Sequence, residues 1–342
     1  MGRLPVLSRL LAAAWLAQGL CATAAHAQTP STSSGQAAST GSGQAYPARP
    51  VRMIVSFPAG GGLDTTARVF GLKLAEYWGQ SVVIENRPGA SGMIGAESVA
   101  RAPKDGYLLL VCSPAEVALN PALYAKMTYD PFKDLAPISL AATYPNIIVV
   151  HASLPVKTVK ELIALSKRTA GGLPFGSSGT GSTQHLAGEW LNRNAGFNYL
   201  HVPYKGAAPA TIDLVGGQIP TAILGLAPVI PHIKSGRLNG IAVTAAQRAS
   251  AIPDVPTLNE SGVKFESTQW FGFLAPAGTP ADVIAKIQAD VKRAAADPAI
   301  RDRLAPLGGD PLANTPEEFG AFIRAENAKY AKVIKDAGIK AE

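Results

Sequence analysis

Charge is scarce in this chain. Asp, Glu, Lys and Arg make up 16% of its 342 residues, against a usual ~25%. The hydrophobic content, 47%, is nonetheless too high for a chain disordered along its whole length. Cysteine is scarcer still. Two residues, Cys21 and Cys112, exclude a disulfide scaffold and any Cys-rich zinc module. No block of five like charges occurs, and basic residues are mixed with acidic ones, as over Lys329–Asp336. With no basic stripe, zinc-finger spacing or aromatic RNP pattern, nucleic acid does not fit as a partner. Catalytic signatures are missing as well: there is no G-x-S-x-G elbow, no H-E-x-x-H and no C-x-x-C. Ser182, His185 and Asp64 could be assembled on paper into a triad, but Ser182 and His185 are merely three apart on one helix. His185 and Glu189, four apart, offer two metal ligands with no third or fourth. No catalysis, metal or cofactor is expected.

The N-terminus reads as a secretory signal. Arg3 and Arg9 form a positive start, Leu10–Ala17 a short apolar core and Ala25-His26-Ala27 an A-x-A site, so cleavage is expected after Ala27. The apolar stretch is well short of the ~20 residues that span a bilayer, and Leu20 before Cys21 is too large for a lipoprotein signal. The leader carries two of the 31 basic residues and none of the 24 acidic ones, so the formal charge falls from +7 to +5 on export. The uncharged Ser/Thr/Gly-rich stretch 28–45 is expected to be a disordered tether. Cys112, the one cysteine left, sits in the apolar run Leu108–Cys112 and reads as a small buried hydrophobe.

What is abundant is glycine and proline, 34 and 27 residues, placed between short apolar runs. Val51–Ser56 reads as a strand. Asp64 opens a helix with Ala67, Phe70, Leu74 and Trp78 at helical spacing, closed by Gly79. Val82–Glu85 is a strand, Ala90–Arg101 a helix and Tyr107–Cys112 a strand. A second alternating series runs from Asn146 to Val243, including a helix over Leu226–Ser235. Helices are expected over Pro280–Ala296 and from Thr315, whose Pro316 and Glu318 complete a capping box. Short strands alternating with helices imply doubly wound parallel sheets. The C-terminal helices need a sheet begun elsewhere, which makes the first domain discontinuous. The expected division is 46–144 with 272–342, and 145–271.

In such sheets ligands bind where strands lead into helices. Two of these loops stand out. Phe57-Pro58-Ala59-Gly60-Gly61-Gly62-Leu63-Asp64 exposes backbone amides at a helix start, with Asp64 read as the N-cap. Gly176–His185 (GSSGTGSTQH) offers hydroxyls and amides but no phosphate-binding lysine, so it is not a nucleotide loop. One amide-rich loop in each unit of an exported chain suggests a cleft that closes on a small anion.

The order of motifs carries a resemblance. YPARPVRMIVSFPAGGGLD (Tyr46–Asp64), VIENRPGASGMIG (Val83–Gly95), YDPFKDLAPIS (Tyr129–Ser139), FGSSGTGSTQHLAG (Phe175–Gly188), HVPYKGAAP (His201–Pro209), DLVGGQ (Asp213–Gln218), IPDVPTLNESG (Ile252–Gly262) and WFGFLAPAGTP (Trp270–Pro280) resemble the tripartite tricarboxylate transporter substrate receptors, also called the Bug family of periplasmic solute receptors. The resemblance spans residue 46 to the C-terminus. It implies a type II periplasmic binding fold: two doubly wound α/β domains with a ligand cleft between them. It also implies a monomeric receptor for a small carboxylate, partnered by a membrane permease with a large and a small subunit. The carboxylate would be held, by amides and ordered water, between Ala59, Gly60, Gly61, Gly62, Leu63 and Asp64 on one side and Ser177, Ser178, Gly179, Thr180, Gly181 and Ser182 on the other. Ser113, Tyr144, His185, Tyr204, Lys205 and Ala227 are candidate cleft walls, Lys205 as a partner for a distal carboxylate. The competing readings are an accessory protein that presents ligand to a signalling receptor, and a secreted hydrolase using Ser182 and His185.

Overall fold

A computed structural model describes residues 46–339; the expected leader and tether lie outside the described residues. The chain runs β1 (Val51–Val55), α1 (Gly62–Trp78), β2 (Val82–Asn86), α2 (Met93–Ala100), β3 (Leu108–Cys112) and a short α3 (Asn120–Leu123). Then come β4 (Leu135–His151), α4 (Val159–Arg168), β5 (Leu173–Ser177), α5 (Thr183–Asn194), β6 (Tyr199–Pro203), α6 (Ala207–Val215), β7 (Thr221–Gly225), α7 (Ile230–Lys234) and β8 (Leu238–Val243). The last part holds β9 (Thr268–Pro276), α8 (Ala281–Ala295), α9 (Pro298–Leu304), β10 (Asp310–Pro311) and α10 (Pro316–Ala337).

The strands lie in the order β2-β1-β3-β9-β4-β7-β5-β6, with β8 and β10 also on β4. The two outer groups, β2-β1-β3 and β6-β5-β7, are parallel as expected from the alternation. The middle is antiparallel, which the alternation did not indicate. The cause is β4, a strand of 17 residues. Its first part, Leu135–Pro145, pairs with β9, and its second part, Asn146–His151, pairs with β7 and β8. Register shifts at Pro137/Ser139 and Leu140/Ala142 interrupt the ladder with β9, and such bulges increase local bend and twist. The result is two α/β units with a cleft between them, the type II periplasmic binding architecture.

Each sheet is covered on both faces. In the first, Phe70, Leu74 and Trp78 of α1 pack with Ile287 and Val291 of α8 and Ile300 and Leu304 of α9. On the opposite face Ala96 and Val99 of α2 join Phe319 and Ile323 of α10 around Trp270. In the second, Leu162, Ala187 and Leu191 from α4 and α5 cover one face, while Ala210, Leu214 and Ile230 from α6 and α7 cover the other. Fully burying a Leu, Ile or Phe side chain contributes about 1.5–3 kcal/mol, so these four clusters supply the driving force for both sheets.

The local signals hold at several ends. Gly79 closes α1 in the left-handed conformation, φ 60, and both halves of the Thr315/Glu318 capping box form. Three expectations change. The helix placed over Ala90–Arg101 is shortened to α2, because Ala90 and Ser91 take positive φ (47 and 52) and break its start. The helix placed over Leu226–Ser235 contracts to the five residues of α7, in a segment with prolines at 228 and 231. Asp64 is not the N-cap of α1: Gly61 takes that position in extended geometry, φ −79 and ψ 170.

Candidate functional site

The cleft between the two units holds a cavity of about 570 Å³. Three helices begin at its wall. Gly61, Gly62 and Leu63 line it from the start of α1, Ser182, Thr183 and Gln184 from the start of α5, and Gly206 from the residue before α6. The first amides of a helix have no intrahelical acceptor, and the aligned peptide dipoles give that end about half a positive charge. In α1 no side chain caps them. In α5 Ser182 Oγ accepts from the His185 amide at 3.2 Å, which leaves the Thr183 and Gln184 amides unclaimed by the cap. Among the described residues no Lys, Arg, His, Asp or Glu lines the cavity. The rest of the wall includes apolar Pro114, Ala115, Leu119 and Leu123, with Ser91, Asn120 and Tyr124 as neutral polar groups. The Ser91 and Tyr124 hydroxyls lie 3.0 Å apart, and Asn120 Nδ2 donates to Ser91 O at 2.9 Å.

Of the candidates from sequence, Gly61, Gly62, Leu63, Ser113, Ser178, Thr180, Gly181 and Ser182 reach the cavity. Ala59, Gly60, Asp64, Ser177, Gly179, Tyr144, His185, Tyr204, Lys205 and Ala227 do not line it, and most of these have other work. Buried Asp64 accepts from the Gly60 amide (2.9 Å), Asn86 Nδ2 (2.9 Å) and Arg68 Nε (3.0 Å). Burial alone would raise its pKa, but the bonds from Arg68, Gly60 and Asn86 prevail and hold it below the ordinary value. It shapes the loop from behind.

The second loop is held by imidazoles. His185 Nδ1 accepts from the Gly181 amide at 3.1 Å, Ser177 Oγ lies 2.7 Å from His201 Nε2, and the two rings stack 3.8 Å apart. Burial, and for His185 the neighbouring His201, lowers their pKa values to about 3 and about 4. Both rings are therefore neutral at pH 7, and His185 can act as an acceptor. Gly179 N–H is bound to Ser177 Oγ at 3.1 Å. Among the described residues no three His, Cys, Asp or Glu side chains gather as a metal site.

Tyr144 is buried behind the cavity: its ring lies 5.1 Å from that of Phe271, which does line the wall, and its hydroxyl is 2.6 Å from Thr66 Oγ. Tyr204 donates to Asp213 Oδ2 at 2.8 Å. Lys205 is exposed. Sequence reasoning missed Phe271 and Gln269, both from β9, and the Leu119–Tyr124 wall. It also missed the polar junction where the two crossing segments meet. There the Thr244 amide and Oγ1 donate to Asn146 O (2.9 and 3.1 Å), the Ser267 amide donates to Thr244 O (2.9 Å), and Gln184 Nε2 donates to Asn146 Oδ1 (2.9 Å). Gln184 thus ties the start of α5, at the cavity, to the crossing point.

Known proteins resemble this chain along most of its length. A family model described as the tripartite tricarboxylate transporter family receptor matches residues 66–339. Protein BugT of Bordetella pertussis is 36% identical over 297 residues, covering 86% of this chain and 91% of the relative. Among solved structures, Rpa4515 of R. palustris with adipate is 36% identical with TM-score 0.77, covering 86% of this chain and 99% of that one. MatC of Rhodopseudomonas palustris with bound malate is 31% identical with TM-score 0.72, covering 84% and 100%.

Proposed function

The chain belongs to the tripartite tricarboxylate transporter receptor family, a family of periplasmic solute-binding receptors rather than enzymes, and we propose that it captures a small carboxylate in the cleft and delivers it to a two-subunit membrane permease. The observation that carries this reading is the convergence of three helix amino ends on one cavity whose wall, among the described residues, has no Lys, Arg, His, Asp or Glu. An anion there meets unpaired amides and dipole ends, which favour negative charge without a salt bridge. Adipate and malate in the related structures belong to the same ligand class. Amides contributed from both units make the bound anion a bridge, so binding would draw the units together and present a joint surface to the permease. The hinge would lie at Pro145–Asn146 and Ser267–Thr268, where β4 passes from β9 to β7 and where β9 begins. The receptor would act as a monomer, released into the periplasm by cleavage after Ala27.

Calorimetry of the mature protein against organic acids, amino acids and aromatic acids tests the reading. Saturable binding of at least one carboxylate, lost when its carboxyl is replaced by an ester, is expected. Failure of every class to bind would remove it. Sequencing of the exported protein should begin at Gln28.

A further inference from the structure

A carboxyl that the amide site does not use lies behind the cavity wall. Glu116 is fully buried in the π-turn Ala115–Leu119 that follows β3. Its Oε2 takes both donors of Ser113, the amide at 3.0 Å and the hydroxyl. Its Oε1 has no hydrogen-bond partner. Ser113 lines the cavity and Glu116 does not. Room for the carboxyl comes from Gly92, where an added Cβ would come within 2.7 Å of Glu116 Cγ.

Among the described residues no cation pairs with this carboxyl, and the charged groups nearby are paired with one another. From the residue after β1 comes the Ser56 hydroxyl, also buried without a partner. From β3 comes the buried Cys112 thiol, which burial and the nearby Glu116 push upward. The Tyr129 phenol donates to the Glu116 carbonyl oxygen at 2.7 Å rather than to its carboxyl. From α2, Glu97 is turned to Arg101. From α10, Asn327 donates to Ala118 O at 2.8 Å, while Glu326 accepts from Trp270 Nε1 at 3.1 Å and from Lys329. Glu116 itself makes no ion pair among the described residues.

A serine hydroxyl has one hydrogen to give. While Glu116 is ionised it takes that hydrogen, and the cavity is left facing the oxygen of Ser113. A protonated Glu116 can donate to Ser113 Oγ instead, which frees the Ser113 hydrogen for the cavity. An arriving anion favours the second state twice over, through the extra donor and through like-charge repulsion. Burial already pushes Glu116 up to about 7, against the lowering pull of the Ser113 hydroxyl, so the proton is exchangeable near neutrality.

We propose that Glu116 is a positioning residue for the bound anion: it takes up one solvent proton as ligand enters and turns the Ser113 hydroxyl from itself toward the ligand. This rests on the carboxylate reading of the cleft. The test is calorimetry of the mature chain at about pH 7 with malate, adipate, citrate, glutamate and benzoate, each in two buffers of different ionisation heat. Whichever probe binds should do so with net proton uptake, up to about half a proton per ligand at about pH 7 and approaching one at about pH 8. Its affinity should be greatest below about pH 7 and fall above it, approaching about tenfold per pH unit. Glu116→Gln is nearly isosteric and permanently neutral. It should bind at about pH 8 as the unaltered chain does at about pH 6, with no proton uptake. Buffer-independent heats in the unaltered chain would overturn the proposal and leave the carboxylate reading intact. Uptake that persists in Glu116→Gln would place the proton elsewhere and overturn it too. No binding of any probe would overturn both.

Discussion

The two loops that face each other across the cleft are held in place by opposite means. The α1 loop has no side-chain cap and takes its shape from a charge: ionised Asp64, tied to the Gly60 amide, Asn86 and Arg68. The α5 loop is capped by Ser182 and braced by two neutral, stacked imidazoles. The glycines differ in the same way. Gly61 has ordinary extended geometry, and an added Cβ would meet nothing nearer than Pro58 O at 3.8 Å. Gly181 needs φ +76, and its Cβ would come within 3.1 Å of Leu123 Cδ1. The difference teaches that the first loop leaves space at Gly61, whereas the second holds a shape at Gly181. Substitution should therefore act on binding in the first and on conformation in the second.

The largest expected effect follows at Gly61. Gly61→Leu should lower carboxylate affinity by more than about tenfold, a loss above about 1.4 kcal/mol, while the poorer N-cap costs about 1 kcal/mol or less of unfolding free energy. Titration calorimetry and urea unfolding check this together; a large stability loss with unchanged affinity would invert the comparison. Next, Ser182→Ala should cost about 1 kcal/mol of stability through the lost cap, with a several-fold weakening of binding as the loop loosens. Denaturant unfolding reads the first and calorimetry the second.

The imidazole pair gives a smaller effect with a definite sign. Both histidines have folded values below the ordinary 6.5, so the unfolded chain binds more protons in acid. Their contribution is complete above pH 6.5 and is lost as the pH falls from there toward the folded values of about 3 and about 4. Asp64 has a depressed value, so its contribution is present above its ordinary 3.8 and fades only as the pH falls below that. Melts should therefore show the α5 loop responding to mild acid before the α1 loop does. His185→Gln should flatten the acid limb near pH 5–6, by about 1 kcal/mol or less. An unchanged limb would mean that the imidazoles do not brace the loop. The smallest effect is expected at Lys205, which is exposed and off the cavity. Lys205→Ala should leave affinity within about twofold, since screened surface charge contributes little.

The comparison also marks what can be read from residues in order. Helix spacing at Phe70, Leu74 and Trp78, the capping box at Thr315 and the two amide-rich loops depend on neighbours within a few positions, and they were legible. Asp64 misled because an acid near a helix start reads as a cap; its carboxylate reaches back to Gly60 instead. The length of β4 and the course of β9 were hidden, because strands buried on both faces show no alternation. With them went Gln269, Phe271 and the junction of Asn146, Thr244 and Ser267, which depends on segments more than ninety positions apart. Glu116 carried no signal either: a lone acid in an apolar stretch declares its burial only when Gly92 and Ser56 are brought beside it.

The central claim is that one carboxylate engages amides from both loops at once. Amide-resolved NMR during titration with a carboxylate that calorimetry shows to bind tests it directly. The account predicts concerted downfield shifts of the Gly62, Leu63, Thr183 and Gln184 amide protons, saturating with a single affinity. Shifts confined to one loop, or two sets that saturate at different concentrations, would contradict it.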